Sequence, residues 1–342
     1  MDIFSTHVLA KVVENLPTPS SFLLDTFFPN VQMSDKEEIF FDLTDSKPRI
    51  TPFVSPLLPG KVVDGNGYQT KSFKPAYVKD KRRFDANTPY KRVAGEIIGG
   101  SLSPAQRYER ALATTLQEQL DNLTRREEVM AAEILRTGQV IVSGDGYPAN
   151  TVSFGRDAAL TKALTGSNTW STSGSKPLDN LEDWAADIQN KSGTVAKTVV
   201  MDPDAWKIFR ANASVEKYLD YRRGTSNTLN ADPFVRGKDS KARYVGSIGD
   251  FDIFVYNDSY INDKGVLTNL LPSKTVILGA KDGLDGTRCY GAIHDEKANW
   301  TASRYFTKSW VEEDPSVRWL LLQSAPLVVP YRPNAVLCAT IG

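Results

Sequence analysis

The chain has 342 residues, 41% of them hydrophobic, and its 41 basic and 41 acidic side chains give a formal net charge of zero. Zero net charge disfavours a dedicated nucleic-acid binder and favours self-association. No apolar run approaches the ~18 residues of a membrane span, and the N-terminus lacks the order of charges and small residues typical of a signal peptide. We therefore expect a protein made in the cytoplasm that does not enter a membrane.

Residues 1–47 predict an N-terminal arm. It contains a short amphipathic helix from Ser5 to Leu16, the apolar cluster FLLDTFFP and an acidic loop. The arm carries three basic and eight acidic residues, whereas residues 61–92 carry nine basic and three acidic ones. The two segments are expected to attract each other, within one chain or between copies. The alternative is two solvated faces, because an exposed ion pair contributes only about 0 to 1 kcal/mol.

Residues 48–93 predict an extended loop, because six prolines exclude a helix. The sequence DGNG at 64–67 supplies residues that favour positive φ, and it predicts a tight hairpin between KVV and YQTKSF. Two largely polar strands are marginally stable alone, so this ribbon is expected to need a partner. The aromatic and basic side chains here are the candidate subunit contacts: Phe53, Tyr68, Lys71, Lys74, Tyr77, Lys79, Lys81, Arg82 and Arg83.

Residues 103–138 predict one helix about 50 Å long. Ser103 can cap its start, Pro104 suits the first turn, and Gly138 suits the left-handed residue after its end. A coiled coil is the alternative, but the apolar spacing averages near 3.7 residues, which favours one face of an ordinary helix lying along a sheet. The apolar stripe consists of Tyr108, Leu112, Leu116, Leu120, Leu123, Met130 and Ile134.

The remaining chain mixes predicted strands and helices without strict alternation, which indicates the α+β class. A Gly-rich strand pair follows Gly138, and a polar tract at 165–176 connects it to a helix near 180–191. A second helix begins at Asp202 and Pro203. The predicted strands are VAKTVVMD, FDIFVYN, KTVILGA, RCYGAIH and WLLLQSAPLVV.

Groups able to carry catalysis are few. The two histidines, His7 and His294, have no cysteine or histidine at metal-binding spacing, and no nucleophile elbow occurs. Asp202 and Asp204 are explained more simply as a helix cap and a residue that complements the helix dipole. The glycine turns match no phosphate-binding motif. We predict no catalytic residue, no metal and no cofactor.

Two other features have ordinary interpretations. Cys289 and Cys338 are predicted to be free and reduced, since two cysteines without CxxC spacing make no disulfide framework. The stretch KPAYVKDKRRF could touch nucleic acid, but we favour a contact arm because the chain supplies no matching positive field. The arm, the ribbon and the long helix are each too sparsely apolar to be buried within one chain, which predicts completion by other copies.

The order of these parts resembles the major capsid proteins of lambda-type tailed phages. The segments that carry the resemblance run through most of the chain: FLLDTFF, FVSPLLPGKVV, FKPAYVK, MDPDAWKIFR, LDYRRG, NLLPSKTVILG, RCYGAIHD, SRYFTKSW and QSAPLVV. The resemblance implies the HK97-like capsid fold. It divides the chain into an N-terminal arm (1–47), an extended loop (48–93), a peripheral domain with its spine helix (94–176), an axial domain (177–317) and a C-terminal strand returning to the peripheral domain (318–342).

The function implied by the resemblance is structural, namely self-assembly into the hexamers and pentamers of an icosahedral head around double-stranded DNA. Implied partners are identical subunits, scaffold and portal proteins, packaged DNA bound without sequence specificity, and in some relatives a decoration protein. The protein would belong to the virion after assembly in the host cytoplasm. A tail-tube or other self-assembling virion protein is the alternative, and a hydrolase with an unrecognised site is a second. One member of the wider fold crosslinks its subunits through lysine and asparagine, but we expect non-covalent contacts here.

Overall fold

The fold is described from a computed structural model. It describes residues 6–16, 19, 21–36, 38–45, 50–63, 67–75, 77–85, 90–92, 96, 102–144, 146–216, 241–314 and 317–342. The segment LDYRRG, used in the resemblance, lies outside these ranges.

The α-helices with bounds in these ranges largely follow the sequence signals. They are α1 (Thr6–Asn15), α2 (Phe22–Phe27), α3 (Pro104–Thr137), α4 (Pro177–Ser192) and α5 (Pro203–Arg210). Helix α2 occupies the FLLDTFFP cluster, for which the sequence predicted no secondary structure. The strands are β1 (Asn30–Met33), β2 (Ile39–Asp45), β3 (Gly67–Phe73), β4 (Val78–Asp85), β5 (Gln139–Gly144), β6 (Tyr147–Ser153), β7 (Thr161–Ala163), β8 (Thr198–Met201), β9 (Ala242–Ile248), β10 (Phe251–Tyr256), β11 (Ser259–Ile261), β12 (Leu267–Asn269), β13 (Thr275–Gly279), β14 (Gly286–Tyr290), β15 (Phe306–Glu312), β16 (Val317–Ser324), β17 (Pro326–Pro330) and β18 (Val336–Thr340).

The largest sheet has the strand order β7-β18-β13-β8-β10-β9 and mixes parallel with antiparallel pairs. Two three-stranded sheets have the orders β1-β14-β17 and β15-β16-β4, and the pairs β2-β3, β5-β6 and β11-β12 form two-stranded ribbons. This arrangement of sheets and helices agrees with the predicted α+β class.

Helix α3 begins and ends as its sequence predicts. The Ser103 hydroxyl accepts a hydrogen bond from the backbone N–H of Gln106, and the Gln106 side chain accepts one from the N–H of Ser103, which completes a capping box. At the other end Gly138 has a left-handed conformation, with φ of 72°, and its N–H donates to the Ile134 carbonyl at 2.8 Å. The predicted helix is confirmed at both ends.

Two hydrophobic cores lie along α3, and they explain its length. The N-terminal half contributes Leu112, Leu116 and Leu120 to a core shared with α1, β4 and β16. The C-terminal half contributes Met130, Ile134 and their neighbours to the main core, which also holds α2 and the six-stranded sheet. The predicted apolar stripe is therefore the buried face of the helix, with only Tyr108 half-buried.

The C-terminal segment forms more than the single strand that the sequence predicted. The WLLLQSAPLVV stretch divides into β16 and β17, which join different sheets and have Ala325 between them. The last strand, β18, lies between β7 and β13 of the six-stranded sheet. The division of the chain into peripheral and axial domains stays a prediction.

Candidate assembly surface

Strands β2 and β3 form an antiparallel ribbon that holds together the two ends of a long connection. The register pairs Ile39 with Phe73 at one end and Asp45 with Gly67 at the other. The chain between Asp45 and Gly67 therefore leaves and re-enters the same end of the ribbon. The predicted hairpin is wrong, because residues 61–63 lie in no strand and β3 pairs with the arm instead. Residues 64–66 of the predicted turn lie outside the described residues.

Burial explains why β3 pairs with β2. Ile39, Phe41 and Phe73 are all buried in the main core, and the Phe41 ring lies 5.6 Å from the ring of Phe154. Burying one such side chain contributes roughly 1.5–3 kcal/mol, which exceeds what a local turn preference supplies. The arm and the basic segment thus meet within one chain, which was one of the two alternatives that their charges left open.

The described part of the long connection carries most of its large apolar side chains in solvent. Phe53 is fully exposed, and Leu57 and Val62 are more than nine-tenths exposed. Isolated exposed apolar residues are ordinary, but a cluster on one protruding segment marks an interaction site. The exposed apolar side chains between residues 50 and 63 are Ile50, Phe53, Leu57, Leu58, Val62 and Val63.

Two of the candidate contact residues are held by their own chain. The ammonium group of Lys71 donates to the Ser153 carbonyl at 2.7 Å. The Tyr77 hydroxyl donates to the carbonyl of Ala292 and accepts from the backbone N–H of His294. Both side chains therefore have a structural role in the isolated subunit.

The strand register separates the other basic candidates. Side chains alternate between the two faces of a strand, so Lys79, Lys81 and Arg83 of β4 share the outer face, while Arg82 lies on the inner side with Phe84. Arg82 donates to both carboxylate oxygens of Asp80, at 2.8 and 3.1 Å. The four residues thus do not form one basic patch.

Two further candidates, Tyr68 and Lys74, lie within or directly after strand β3 of the ribbon. Lys74 is exposed just after β3, and the backbone of Tyr68 pairs with Thr44, although the Tyr68 side chain lies outside the described residues. The role of all nine candidates as subunit contacts stays a prediction.

The N-terminal arm packs on its own subunit, contrary to expectation. Leu9 and Val13 of α1 are buried against α3 and β16, and all four large apolar side chains of α2 are buried. The apolar stripes of α1 and α3 cover each other, so both are buried within a single subunit without a second copy. The expectation of incomplete burial is therefore wrong for the two helices of the arm and for the long helix. It holds for the loop between β2 and β3, and within the arm Val31, Met33 and Phe40 stay about half exposed.

The carboxylates of Asp202 and Asp204 have the structural roles that the sequence predicts. Asp202 accepts hydrogen bonds from the backbone N–H groups of Asp204, Ala205 and Thr275, and thus caps α5 and fixes it to β13. Among the described residues no three His, Cys, Asp or Glu side chains come together as a possible metal site. No helix in the described ranges is both long and apolar enough to cross a membrane.

Two buried carboxylates on α3 have no counterpart in the sequence predictions. Burial raises the pKa of Glu127 to about 7, an effect that Arg304 at 3.9 Å partly offsets. Burial likewise raises the pKa of Glu128 to about 7, against the hydrogen bonds donated by Leu23 and Leu24. The sequence contained one hint of a buried carboxylate, because Glu127 occupies a position in the apolar stripe of α3.

Sequence reasoning also missed the aromatic residues beside the basic ones. Trp310 of β15 lies opposite Trp319 of β16, which lies opposite Arg83 of β4. The ammonium group of Lys81 lies 3.9 Å from the Trp319 ring centre and 5.2 Å from that of Trp310. The exposed face of this sheet therefore combines cations with indole rings.

Solved structures with the same arrangement are capsid proteins. A prophage capsid protein of Escherichia coli CFT073 superposes with a TM-score of 0.77 at 20% identity, covering 98% of this chain and 99% of that one. The capsid of Ralstonia phage GP4 gives a TM-score of 0.53 at 12% identity, with 95% and 91% coverage. The chain therefore has the HK97-like capsid fold.

The sequence comparison gives the family. Residues 5–341 match the model of phage major capsid protein E, and the chain belongs to this family. The major capsid protein of Enterobacteria phage phi80 is 29% identical over 339 residues, and that of Escherichia phage lambda is 28% identical over 338, each alignment covering 98% of both chains. The role of the chain is structural, as a component of a phage virion, and not enzymatic.

Proposed function

We propose that this chain assembles with identical copies into the hexamers and pentamers of an icosahedral phage head that encloses double-stranded DNA, and that assembly takes place in the host cytoplasm. Scaffold and portal proteins would act during assembly, and a decoration protein is a further candidate partner. Packaged DNA would be contacted without sequence specificity. The peripheral and axial domains, with boundaries near residues 94, 177 and 317, belong to the same proposal.

The exposed loop between β2 and β3 is the observation that carries this proposal. Six large apolar side chains lie in solvent on a segment that the ribbon holds away from the chain's own cores. At about 25 cal/mol per Å² of buried apolar surface, covering them would stabilise association substantially. A second copy is the simplest cover, because a shell brings identical subunits side by side in a fixed orientation.

A loop replacement tests the proposal. Residues 51–62 would be exchanged for a Gly-Ser segment of equal length, which leaves β2, β3 and their buried side chains intact. A deletion of residues 61–74, which the sequence alone would suggest, removes β3 and the buried Phe73 and would destabilise the subunit itself. We expect the exchanged chain to fold, with an unfolding free energy within about 1 kcal/mol of the unmodified chain, but to form no closed shells.

Electron microscopy of the purified chains distinguishes the outcomes. Closed shells from the unmodified chain and dispersed subunits from the exchanged chain would support the proposal. Open tubes from the unmodified chain would favour a tail-tube protein instead. Normal shells from both chains would show that the loop is not an assembly contact.

A further inference from the structure

The outer face of the β15-β16-β4 sheet combines positive charge with half-buried aromatic side chains. Its inner face carries Phe84 and Leu320, which are buried against α1 and α3. Because side chains alternate along each strand, the residues opposite one another in register share a face. The register places on the outer face Lys79, Lys81, Arg83 and Asp85 of β4, Val317, Trp319, Leu321 and Gln323 of β16, and Phe306, Lys308, Trp310 and Glu312 of β15. Its two carboxylates are already engaged, Asp85 with Arg83 and Glu312 with the Trp319 indole N–H.

Two of these cations have no acidic partner among the residues that the structure describes. Arg83 pairs with Asp85 at 2.5 Å, and Lys308 pairs with Asp295. Lys79 and Lys81 make no ion pair with any residue that the structure describes, and both are exposed. Their ammonium groups lie over aromatic rings instead, Lys79 at 5.6 Å from the ring centre of Tyr77 and Lys81 against the two indoles. The rings hold the charges at defined positions while leaving them available to an anion.

The ribbon presents a matching surface. Ile39 and Phe41 point into the core, so the intervening Phe40 and the following Asp42 share the opposite face of β2. Phe40 is half exposed and Asp42 is exposed. The surface thus offers an aromatic ring and a carboxylate, flanked by Lys36 over the Phe40 ring. No ion pair among the described residues joins β2 to β4 of the same chain.

From these features we propose that the outer face around Lys81 receives the outer face of strand β2 from a second copy, with the carboxylate of Asp42 facing Lys79 and Lys81, and Phe40 against the indole rings. This inference rests on the proposed function, since it names a contact between copies of a self-assembling chain. The acidic arm and the basic segment 61–92 would then be in contact both within one chain and between neighbouring chains. Backbone pairing of β2 with β3 joins the segments within one chain, and side-chain charges join neighbouring chains.

The contact is heterologous, because one surface of the first copy meets a different surface of the second. Such contacts close into rings when the rotation between copies allows it. Each subunit then uses both surfaces once, so a single charge reversal disturbs every contact in the ring. We expect Lys81→Glu or Asp42→Lys alone to weaken association of otherwise unmodified chains by about tenfold or more at low salt. The loss should shrink at high salt, because screening shortens the range of the charges.

A mixing experiment tests whether the contact joins two copies. In an equal mixture of Lys81→Glu chains and Asp42→Lys chains, every contact between unlike chains pairs opposite charges, whereas every contact between like chains pairs equal charges. We expect each variant alone to remain dispersed at low salt and the mixture to associate, as measured by light scattering and sedimentation velocity. The double variant should also associate alone.

Control variants separate the proposed contact from a general effect of charge. Lys264→Glu and Asp250→Lys reverse exposed charges elsewhere on the subunit and should have no effect. Circular dichroism of each variant checks that it is folded.

The results distinguish this inference from the proposed function. If the unmodified chain never associates, the proposed function fails. If it associates and both single variants do so equally well, only this inference fails. Rescue in the double variant but not in the mixture would place the contact within one chain and overturn the inference. If Lys81→Glu impairs association and Asp42→Lys does not, the face binds a different acidic partner, and the inference is again overturned.

Discussion

Glu128, in the middle of α3, accepts a hydrogen bond from the backbone N–H of Leu23 in the N-terminal arm, with 2.8 Å between oxygen and nitrogen. Its other oxygen accepts from the N–H of Leu24 at 3.0 Å, and the Tyr256 hydroxyl donates to the same carboxylate at 2.9 Å. The first N–H groups of a helix have no partner inside it, so the long helix supplies the cap of α2. One side chain thereby joins the arm, the long helix and the six-stranded sheet.

Replacing Glu128 with glutamine should weaken this junction. The amide offers one acceptor oxygen and turns an N–H₂ group toward buried donors, which we expect to lower the unfolding free energy by about 2–3 kcal/mol. Urea unfolding of the unassembled chain measures the change. Glu109→Gln, on an exposed position of the same helix, is the matched control and should change it by less than about 0.5 kcal/mol. Equal effects of the two variants would contradict the role given to Glu128.

The raised pKa of Glu127 predicts that the subunit becomes less stable as the pH rises. The ordinary value for glutamate is 4.5 and the folded value is about 7, so between these values the folded chain binds more protons than the unfolded chain. The stabilisation is complete below about pH 4.5 and is lost as the pH rises through 7. Glu128 acts in the same direction. The charged groups that face Glu127 are Arg304 and Arg288, with the Tyr290 hydroxyl beside them.

Glu127→Gln should therefore flatten this pH dependence. At pH 8 we expect the variant to be about 2 kcal/mol more stable than the unmodified chain, because it avoids a buried charge, and at pH 5 the two should be nearly equal. Urea unfolding at pH 5, 6, 7 and 8 gives the comparison. A variant that is equally destabilised at every pH would show that the carboxylate is required as the counter-charge of Arg304.

Local signals located the long helix because its ends depend on residues adjacent in sequence. Ser103 and Gly138 each act on the backbone within four positions, so the sequence contains everything needed to predict them. Strand pairing depends on distant residues instead. DGNG favours a tight turn, but burial of Ile39 and Phe41 beside Phe73 decides the partner of β3, and this burial requires a core assembled from the whole chain.

The candidate assembly surface also combines local features with features that depend on distant parts of the chain. Alternation along β4 separates Arg82 from Lys81 through neighbouring residues alone, since these face opposite sides of a strand, although no strand was predicted over residues 78–85. The proximity of Trp310 and Trp319 to Lys81 was not predictable, because it depends on the register of three strands from distant parts of the chain. The self-burial of the arm was missed because it requires knowing that α1 and α3 lie side by side.

Gly138→Ala should destabilise the subunit more than the equivalent change at Gly193. Both glycines end a helix in the left-handed region, with φ of 72° and 69°, so alanine costs about 1 kcal/mol at either position. At Gly138 an added Cβ would also lie 2.6 Å from the Cβ of Arg156, whereas nothing lies within 4 Å at Gly193. Arg156 cannot easily move, because its guanidinium donates to the carbonyls of Leu135 and Arg136.

We expect a loss of about 1 kcal/mol for Gly193→Ala and of about 2–4 kcal/mol for Gly138→Ala, since forcing atoms into an occupied space costs typically 1–3 kcal/mol. Urea unfolding of the two variants under the same conditions gives the difference. Equal losses would mean that Arg156 adjusts without cost and that only the backbone conformation matters.

Leu9→Ala tests whether the arm packs on its own subunit before assembly. Leu9 is fully buried among α3, β4 and β16, and truncating a buried leucine typically costs about 2–5 kcal/mol. Because α1 makes most of its contacts through one short apolar stripe, the loss should appear as release of the arm as well as reduced global stability. Limited proteolysis of unassembled subunits should then cut the variant N-terminal to α2, within the segment that carries α1, at least about tenfold faster. Lys11→Ala, on the exposed side of the same helix, should leave the rate unchanged. Equally rapid cleavage of the unmodified chain would mean that α1 docks only after neighbouring copies have assembled, because an undocked arm is open to the protease whatever residue stands at position 9.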